Sequence, residues 1–320
     1  MLDRRRFTAL SLAAAGLPLL RTSGARAATR DAEYFNWSNL GRNVHLAEGG
    51  GGNALYIPGK DGAILIDTKN PGLGDALMRE AESRGPSIGL TINTHHHGDH
   101  TGGNDAFTGR SRVMAHENCL PRVDSQRDRY VSGLRSLVQQ APTERIRIEA
   151  EARLKQIEVL QGAWTPSRRI DEKESILREG AREITAHHVA SGHTDNDLIL
   201  VIEDENLIHF GDLIFNGLHP FCDADGGVSI EGWIRCLTFG RELADKDTIV
   251  VPGHGPVTDR SGIQTQIDYF ENLIDAVQKQ IDAGTTRDEI TEMTFPFMEG
   301  LGFERVRPIA IGVTYDQLTS

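Results

Sequence analysis

A run of four histidines and one aspartate lies in the first half of the chain, within the six positions from His95 to His100. It follows a largely apolar segment of the kind that forms a strand. Imidazole and carboxylate groups are ligands that suit Zn²⁺, iron and manganese. Residues two apart project to the same side of an extended segment, so His95, His97 and Asp99 can converge. The run therefore predicts a metal site rather than an accidental histidine tract.

Three later positions place further ligand side chains next to strand-like segments. His193 lies in a glycine-punctuated loop, Ser-Gly-His-Thr. Asp212 follows an apolar run in the sequence Phe-Gly-Asp-Leu, and His254 lies in the loop Pro-Gly-His-Gly. A lone residue of either type is more often structural. Together, each at the end of a predicted strand, they predict that the second half of the chain completes the metal site.

The hydrophobic pattern predicts elements that bring these residues together. The first half alternates strands and helices up to the histidine run, and the second half repeats this outline. Asp67 and Asp212 follow corresponding strands, the second predicted at residues 206–210. A strand predicted at residues 248–251 precedes His254. Two such α/β halves predict a four-layer αββα sandwich, with two sheets face to face and helices outside.

The first 27 residues are predicted to be a targeting segment rather than part of the fold. Three consecutive arginines begin it, and an apolar stretch and an Ala-Arg-Ala sequence follow. The apolar stretch has about 14 residues, whereas a helix needs about 20 to span a bilayer. We therefore expect a twin-arginine signal peptide and no integral membrane span. Export machinery of that type would then be a partner and the protein periplasmic. Residues 28–320 would form the folded domain, with a helical insertion at about residues 117–160.

Composition narrows the class of partner. The chain has 320 residues, 38% of them hydrophobic, and a formal net charge of −12. An acidic protein without basic runs offers little to a phosphate backbone, so a small-molecule substrate is expected rather than nucleic acid. The three cysteines, Cys119, Cys222 and Cys236, lack C-x-x-C spacing and allow at most one disulfide. Cys222 is expected to be a small buried residue.

The ordered motifs resemble those of the metallo-β-lactamase-fold superfamily over roughly residues 40–260. The matches are Asp67 in Leu-Ile-Asp-Thr, the His-x-His-x-Asp-His run, and the three later motifs. The resemblance implies two divalent metal ions, expected to be Zn²⁺ with iron or manganese as alternatives. It implies that Asp212 bridges the ions and that Asp67 orients a ligand from outside the coordination shell. The remaining ligands would be divided between the ions as His95, His97 and His193 on one, and Asp99, His100 and His254 on the other.

The implied chemistry is hydrolysis by a metal-bound hydroxide. Two cations about 3.5–4 Å apart can lower the pKa of a shared water from about 15.7 towards 7, for attack on the carbonyl of an ester, thioester, lactone or amide. Asp99 is expected to act in catalysis as well, by accepting the proton. An aspartate at position 212 is similar to glyoxalase II-like thioesterases and lactonases, whereas dedicated β-lactamases usually carry cysteine or serine there. Two alternatives stay open: a mononuclear-iron enzyme of the persulfide dioxygenase type, and a non-catalytic periplasmic accessory protein.

Two other histidines lie near the predicted ligands. His96 lies between them, and we expect its side chain to point away from the metal. His219 follows Asp212 by seven residues, and we expect it either to contact substrate or to be structural.

Overall fold

Two β-sheets and the helices that cover them make up the part of the chain that the computed structural model describes. The described residues are 33–41, 43–159, 166, 168–171 and 173–320. The predicted signal segment, residues 1–27, lies outside them. Within the described part, the structure contains no helix that is both long and apolar enough to cross a membrane.

The first sheet has seven strands whose spatial order follows the chain. The first four strands pair antiparallel, and the fourth to the seventh pair in parallel. A hydrogen bond of 2.8 Å from Gly59 N to Gly62 O closes the turn between the third and fourth strands. The strands are β1 (Asn36–Asn39), β2 (His45–Glu48), β3 (Ala54–Pro58), β4 (Ala63–Ile66), β5 (Ile88–Ile92), β6 (Arg112–His116) and β7 (Arg168–Ile170).

The second sheet consists of β8 (Glu174–Glu179), β9 (Arg182–His187), β10 (Ile199–Ile202), β11 (Leu207–Phe215) and β12 (Ile249–His254). The strands from β8 to β11 pair antiparallel in chain order, and β12 lies parallel to β11 at the edge. The predicted ends of two strands are wrong, because β11 continues through Asp212 and β12 continues to His254. Gly211, at φ 53°, and shifts in the register between β11 and β12 interrupt regular pairing without ending either strand.

Helices connect and cover these strands. The paired helices α4 and α5 occupy the segment interpreted as an insertion, between β6 and β7, and pack against each other around Leu134 and Ala150. The side chains of Ser229 and Asp259 cap the N-termini of α6 and α7. The helices are α1 (Gly74–Glu82), α2 (Gly98–Thr101), α3 (Asn104–Phe107), α4 (Cys119–Gln140), α5 (Glu144–Val159), α6 (Ile230–Leu243), α7 (Arg260–Asp282), α8 (Arg287–Thr291) and α9 (Arg307–Leu318).

Three clusters of buried hydrophobic residues separate four layers. One cluster lies between the two sheets and includes Ile66 and Ile92 of the first sheet and Leu200 of the second. Another lies between the first sheet and helices α1 and α3, and the third lies between the second sheet and helices α6, α7 and α9. The order helix, sheet, sheet, helix confirms the predicted αββα sandwich.

The C-terminal ends of β4, β5, β11 and β12 meet at one edge of the sandwich. Asp67 directly follows β4 and donates its backbone N–H to Ile92 O of β5 at 2.9 Å. Across the two sheets, Leu198 N donates to Thr94 O at 2.9 Å. This edge therefore places the polar residues that follow the strands of both halves beside one another.

Candidate metal centre

Two groups of ligand side chains meet at this edge, and one carboxylate lies within reach of both. Asp212 Oδ2 lies 3.7 Å from His95 Nε2 and 3.6 Å from His193 Nε2, while its Oδ1 lies 3.1 Å from His100 Nε2. Asp212 Oδ2 is also 3.4 Å from His254 Nε2. The first group consists of His95, His97, His193 and Asp212, and the second of Asp99, His100 and His254. Within each group the ligand atoms lie within 4.8 Å of one another. The structure brings together every residue predicted to be a metal ligand.

The histidine run reaches both groups because the backbone changes direction inside it. His97 has an extended conformation, at φ −62° and ψ 146°, and α2 begins at the next residue. His95 and His97 therefore project from an extended segment, with the two-residue period of a strand. Asp99 and His100 project instead from the first turn of α2. One short motif thus supplies side chains to both ligand groups.

Each of these five imidazoles has one ring nitrogen that points towards the centre and one that points outward. In four of the five, the outward nitrogen forms a hydrogen bond with a specific acceptor. A neutral imidazole carries one proton, so a bond donated outward leaves the lone pair of the other nitrogen directed inward. Such contacts orient metal-binding histidines in general. The bonds are His193 Nδ1 to Phe221 O at 2.8 Å, His100 Nδ1 to Asp67 Oδ2 at 2.7 Å, His97 Nε2 to Asp223 Oδ2 at 2.9 Å and His95 Nδ1 to Thr94 Oγ1 at 3.1 Å.

The inward atoms have few protein partners. His95 Nε2, His100 Nε2 and Asp212 Oδ1 are buried and form no hydrogen bond within the described residues. His97 Nδ1 and His193 Nε2 face each other at 3.0 Å. A protonated His97 donates across this contact, but when both rings are neutral and carry their protons on the nitrogens that point away from the centre, two lone pairs face each other. A cation between them would remove the repulsion and satisfy the unpaired atoms. The donors that converge here fit divalent metal ions.

The charges of the two ligand groups favour exchange of protons for cations. Burial, and after it the charge of His97, lower the pKa of His193 to about 3. Burial also opposes a charge on His254, but the carboxylates of Asp212 and Asp99 outweigh it and raise the pKa of His254 to about 10. Burial would raise the pKa of Asp212, but His254 and the neighbouring imidazoles hold it well below its usual range. A cation that binds beside Asp212 therefore displaces the proton of His254.

Asp67 has the contacts of a residue that orients a ligand from outside the coordination shell. Its carboxylate is fully buried. Oδ1 accepts from Thr94 N at 2.8 Å, and Oδ2 accepts from Thr94 Oγ1 at 2.8 Å and from His100 Nδ1 at 2.7 Å. Every bond needed to hold His100 Nε2 towards the centre is therefore present.

The centre is most accessible beside Asp99 and His254. Their side chains are 30% and 27% exposed, whereas those of His95, His100 and Asp212 are at most 4% exposed. A substrate can therefore reach the ligand groups from the side of Asp99 and His254.

Sequence comparison places this geometry in a known family. The sequence model described as "Metallo-beta-lactamase superfamily" matches residues 47–265, more than half of the chain. The chain belongs to this superfamily. Curated relatives match over shorter or more divergent stretches: a human protein named metallo-beta-lactamase domain-containing protein 1 is 35% identical over 75 residues, which are 22% of this chain and 28% of that protein. A hydroxyacylglutathione hydrolase from Methylococcus capsulatus is 38% identical over 75 residues, with the same two shares.

A longer match and the solved structures agree with this assignment. The beta-lactamase-like protein 2 homolog of Caenorhabditis elegans is 24% identical over 235 residues, which are 72% of this chain and 64% of that protein. The DIM-1 metallo-β-lactamase has a TM-score of 0.57 at 16% identity, covering 74% of this chain and 97% of that structure. The metallo-β-lactamase from Pontibacter korlensis has a TM-score of 0.56 at 16% identity, covering 74% and 99%. At this identity the structures establish the metallo-β-lactamase fold of the chain.

A glycine-rich loop before β3 supports the second ligand group of this superfamily member, and sequence analysis did not identify it. A Cβ on Gly52 would lie 2.1 Å from His100 Cε1, so glycine is required for this close approach. Buried Lys69 donates from Nζ to Gly52 O at 2.6 Å, and burial lowers the pKa of Lys69 to about 7. Asn53 Nδ2 donates to two carbonyls of the loop that carries His254, at 3.0 and 2.9 Å. The run of four glycines at residues 49–52 was the available signal.

The remaining polar residues have structural contacts. His96 is buried and belongs to neither of the two ligand groups, although it forms a further cluster with His97 and Asp223; its Nδ1 lies 3.0 Å from Asn196 Nδ2 and its Nε2 3.5 Å from Asp223 Oδ2. His219 is buried and also belongs to neither group; its Nδ1 bonds to Tyr269 Oη at 3.1 Å and its Nε2 lies 3.7 Å from Glu304 Oε2. All three cysteines are buried and free. Asp223, which contacts His97 as well, was missed because a single aspartate in a polar turn has no periodic signal.

Proposed function

We propose that this chain is a hydrolase that uses two divalent metal ions, expected to be Zn²⁺, on the carbonyl of an ester, thioester, lactone or amide. The observation that carries the proposal is the position of Asp212. Its carboxylate lies within 3.7 Å of imidazole nitrogens from both ligand groups. A carboxylate at this position can be shared by two cations, which supports a dinuclear rather than a mononuclear centre.

The ligand groups define which residues would hold each ion. When bound, a pair of divalent cations supplies a Lewis acid for the carbonyl oxygen and a hydroxide nucleophile near neutral pH. Asp212 would contribute to both sites, since its Oδ2 lies near His95, His193 and His254 and its Oδ1 near His100. The other ligands would be His95, His97 and His193 at one site, and Asp99, His100 and His254 at the other.

Asp99 is the carboxylate best placed to handle a proton at the open side of the centre. Its Oδ2 lies 3.1 Å from His254 Nε2, and its side chain is 30% exposed. A proton released during attack on the carbonyl can be accepted at Asp99 Oδ2 and delivered to the leaving oxygen, sulfur or nitrogen, so that the alcohol, thiol or amine departs protonated. Asp67 contributes by holding His100 Nδ1, which keeps His100 Nε2 free to bind.

The cysteines do not offer a competing nucleophile. Burial holds the pKa of the Cys119 and Cys222 thiols well above its usual range and raises that of Cys236 to about 12. All three thiols therefore stay protonated at neutral pH, and a thiolate is the reactive form of cysteine. This supports hydrolysis through the ligand groups rather than through a covalent intermediate on cysteine.

The relatives support the same reaction class. The match to a protein named hydroxyacylglutathione hydrolase favours a hydrolase and makes acylglutathiones the first substrates to test. The aspartate at position 212, where dedicated β-lactamases usually carry cysteine or serine, favours general carbonyl hydrolysis over a principal β-lactamase role.

Metal quantification paired with a substrate screen tests this proposal. We expect two divalent ions per chain by inductively coupled plasma mass spectrometry, and hydrolysis of at least one class among acylglutathiones, lactones, esters and β-lactams. Asp99→Asn should lose most of this activity, while Asp75→Asn, an exposed aspartate on α1, should keep it. One iron per chain with oxygen uptake on a persulfide would overturn the proposal in favour of the dioxygenase alternative. Metal binding without turnover of any class would favour the accessory alternative.

We also propose that residues 1–27 direct export to the periplasm as a twin-arginine signal. The three consecutive arginines and the Ala-Arg-Ala sequence support this proposal. Replacing Arg4 and Arg5 by lysine should retain the uncleaved protein in the cytoplasm, as measured by cell fractionation and N-terminal sequencing. A periplasmic protein in that variant would contradict the proposed route.

A further inference from the structure

Asp223 contacts two adjacent histidines of the run, and only one of them is a predicted ligand. Its Oδ2 accepts from His97 Nε2 at 2.9 Å and lies 3.5 Å from His96 Nε2. The carboxylate is 14% exposed, so both contacts are largely shielded from water. The three side chains also have the composition of a cation site.

The hydrogen bonds of His96 argue against a third cation there. Asn196 Nδ2 lies 2.9 Å from Asp195 Oδ1 and 3.0 Å from His96 Nδ1. Because a carboxylate can only accept, the Asn196 group that faces Asp195 and His96 is its N–H₂ group. His96 Nδ1 therefore accepts a hydrogen bond from Asn196, and the proton of a neutral His96 lies on Nε2. Nε2 of His96 therefore donates towards Asp223 and offers no lone pair. The cluster is a hydrogen-bonded support for His97.

The support is anchored to α4. Arg122 donates from Nε to Asp195 Oδ2 at 3.2 Å, and its Nη1 donates to the backbone oxygen of Asp225. Asp195 N donates to Gly226 O at 2.9 Å, which joins the loop before β10 to the turn that carries Asp223. A Cβ on Gly226 would lie 2.3 Å from Asp223 Oδ2, so glycine is needed for the backbone to pass beside the carboxylate.

We propose that Asp223 is the positioning residue that makes His97 bind its cation through Nδ1, and that Arg122, Asp195, Asn196 and His96 hold Asp223 in place. A carboxylate at Nε2 fixes the proton on that nitrogen and directs the lone pair of Nδ1 towards His193 Nε2, 3.0 Å away. Without the carboxylate, the ring can take the other tautomer or rotate. This inference rests on the metal binding in the proposed function, but it concerns the tautomer of one histidine, which can be measured without any metal.

The first test is the tautomer of His97 in the metal-free full-length protein. Long-range ¹H–¹⁵N correlation spectra of protein labelled at its 12 histidines report which ring nitrogen carries the proton. In spectra recorded at alkaline pH, where the ring of His97 is neutral, we expect the Nε2–H form for His97 in the wild type and loss of that form in Asp223→Ala, which removes the acceptor. Asp225→Ala is the matched control, because its side chain lies in the same turn and is 81% exposed. An Nδ1–H form in the wild type, or an unchanged spectrum in Asp223→Ala, would overturn the proposal.

The second test is the affinity for Zn²⁺ and Co²⁺, measured by competition with a chromophoric chelator. Asp223→Ala should bind one of two ions about 10–100-fold more weakly and change the visible spectrum of bound Co²⁺. Gly226→Ala should reproduce this loss of affinity by displacing the carboxylate, Arg122→Ala should give a smaller loss, and Asp225→Ala should match the wild type. Equal losses of affinity in Asp223→Ala and Asp225→Ala would show that the fold of the turn matters and the carboxylate of Asp223 does not. Failure of the hydrolysis screen with the expected tautomer change would reject the proposed function and leave this inference standing.

Discussion

Replacing Asp67 by asparagine should remove one metal ion and leave the fold nearly intact. Asparagine has the same shape as aspartate, and both tolerate the left-handed backbone found at Asp67, where φ is 62°. The substitution therefore changes hydrogen bonding without adding backbone strain. Alanine at this position would add that strain and confuse the two effects.

The expected loss follows from a change of tautomer in His100. In the wild type, Asp67 Oδ2 accepts from His100 Nδ1 at 2.7 Å. In the variant, the amide N–H₂ faces His100 Nδ1, which can accept only if the proton of His100 moves to Nε2. Since Nε2 lies 3.1 Å from Asp212 Oδ1, His100 would then donate to Asp212 instead of binding a cation. His95 keeps its contact with Thr94 Oγ1, so the first ligand group should be unaffected.

Both consequences have a calculable size. A hydrogen bond to a charged group contributes about 1.5–3 kcal/mol and a neutral one about 0.5–1.5 kcal/mol. Asp67 accepts three bonds, each about 1–1.5 kcal/mol weaker with a neutral partner, so the free energy of unfolding of the metal-free protein should fall by about 3–4.5 kcal/mol. Loss of an orienting carboxylate weakens metal binding about 10–100-fold. This loss should be confined to the site of Asp99, His100 and His254.

Metal content and unfolding measure the two effects separately. Dialysis against chelator-buffered zinc followed by mass spectrometry gives ions per chain, and urea unfolding of metal-free protein gives stability. Asp61→Asn, in the exposed turn between β3 and β4, is the control and should match the wild type in both. Two ions bound with wild-type affinity in Asp67→Asn would refute the tautomer argument, and loss of both ions would refute its confinement to one site.

Three further changes probe other parts of the structure. Asp212→Asn should abolish hydrolysis and weaken the binding of both ions. Binding of one ion with wild-type affinity would contradict the idea that both ions share this carboxylate. Gly52→Ala should lower the metal content towards one ion per chain, since its Cβ would lie 2.1 Å from His100 Cε1. Burial, and then the charge of His188, lower the pKa of His116 from 6.5 to about 4, so the unfolded state binds the extra proton and stability falls as pH drops from 6.5 to 4. His116→Phe should remove the part of this pH dependence that comes from His116, on the order of 2 kcal/mol after discounting the about 1.4 kcal/mol per pKa unit for partial solvent screening, and an unchanged slope in urea unfolding would contradict it.

The ligands could be predicted because they follow apolar runs of strand length. Asp67 and the histidine run come after the segments that form β4 and β5. Residues at the ends of neighbouring parallel strands meet at one edge, so the same pattern predicted both the sandwich and the convergence of the ligands. The strands that carry Asp212 and His254 were predicted too short, because glycine and proline interrupt the pattern while irregular pairing continues.

The supports of the ligands could not be predicted from local patterns. The contact of Asp223 with His97 joins residues 126 positions apart, and the turn of Asp223 has the composition of any polar loop. Lys69 is fully buried, against the usual placement of lysine at the surface. Its burial depends on two carbonyls that accept from Nζ at 2.6 and 2.7 Å, and these bonds exist only once β2 and the glycine-rich loop have folded around it.

These long-range supports imply that the two halves must pack before either ion can bind tightly. One ligand group needs His193 and the other needs His254, both from the second half. In return, Asn53 of the first half donates its backbone N–H to Gly253 O at 2.7 Å, beside His254. An unfolded chain lacks this arrangement, so ions bind the folded state preferentially and stabilise it by about 2.7 kcal/mol at a free concentration 100 times the Kd. The proposed metal binding is therefore coupled to the packing of the two sheets, and removing the ions should weaken the contact between the halves as well as the proposed hydrolysis.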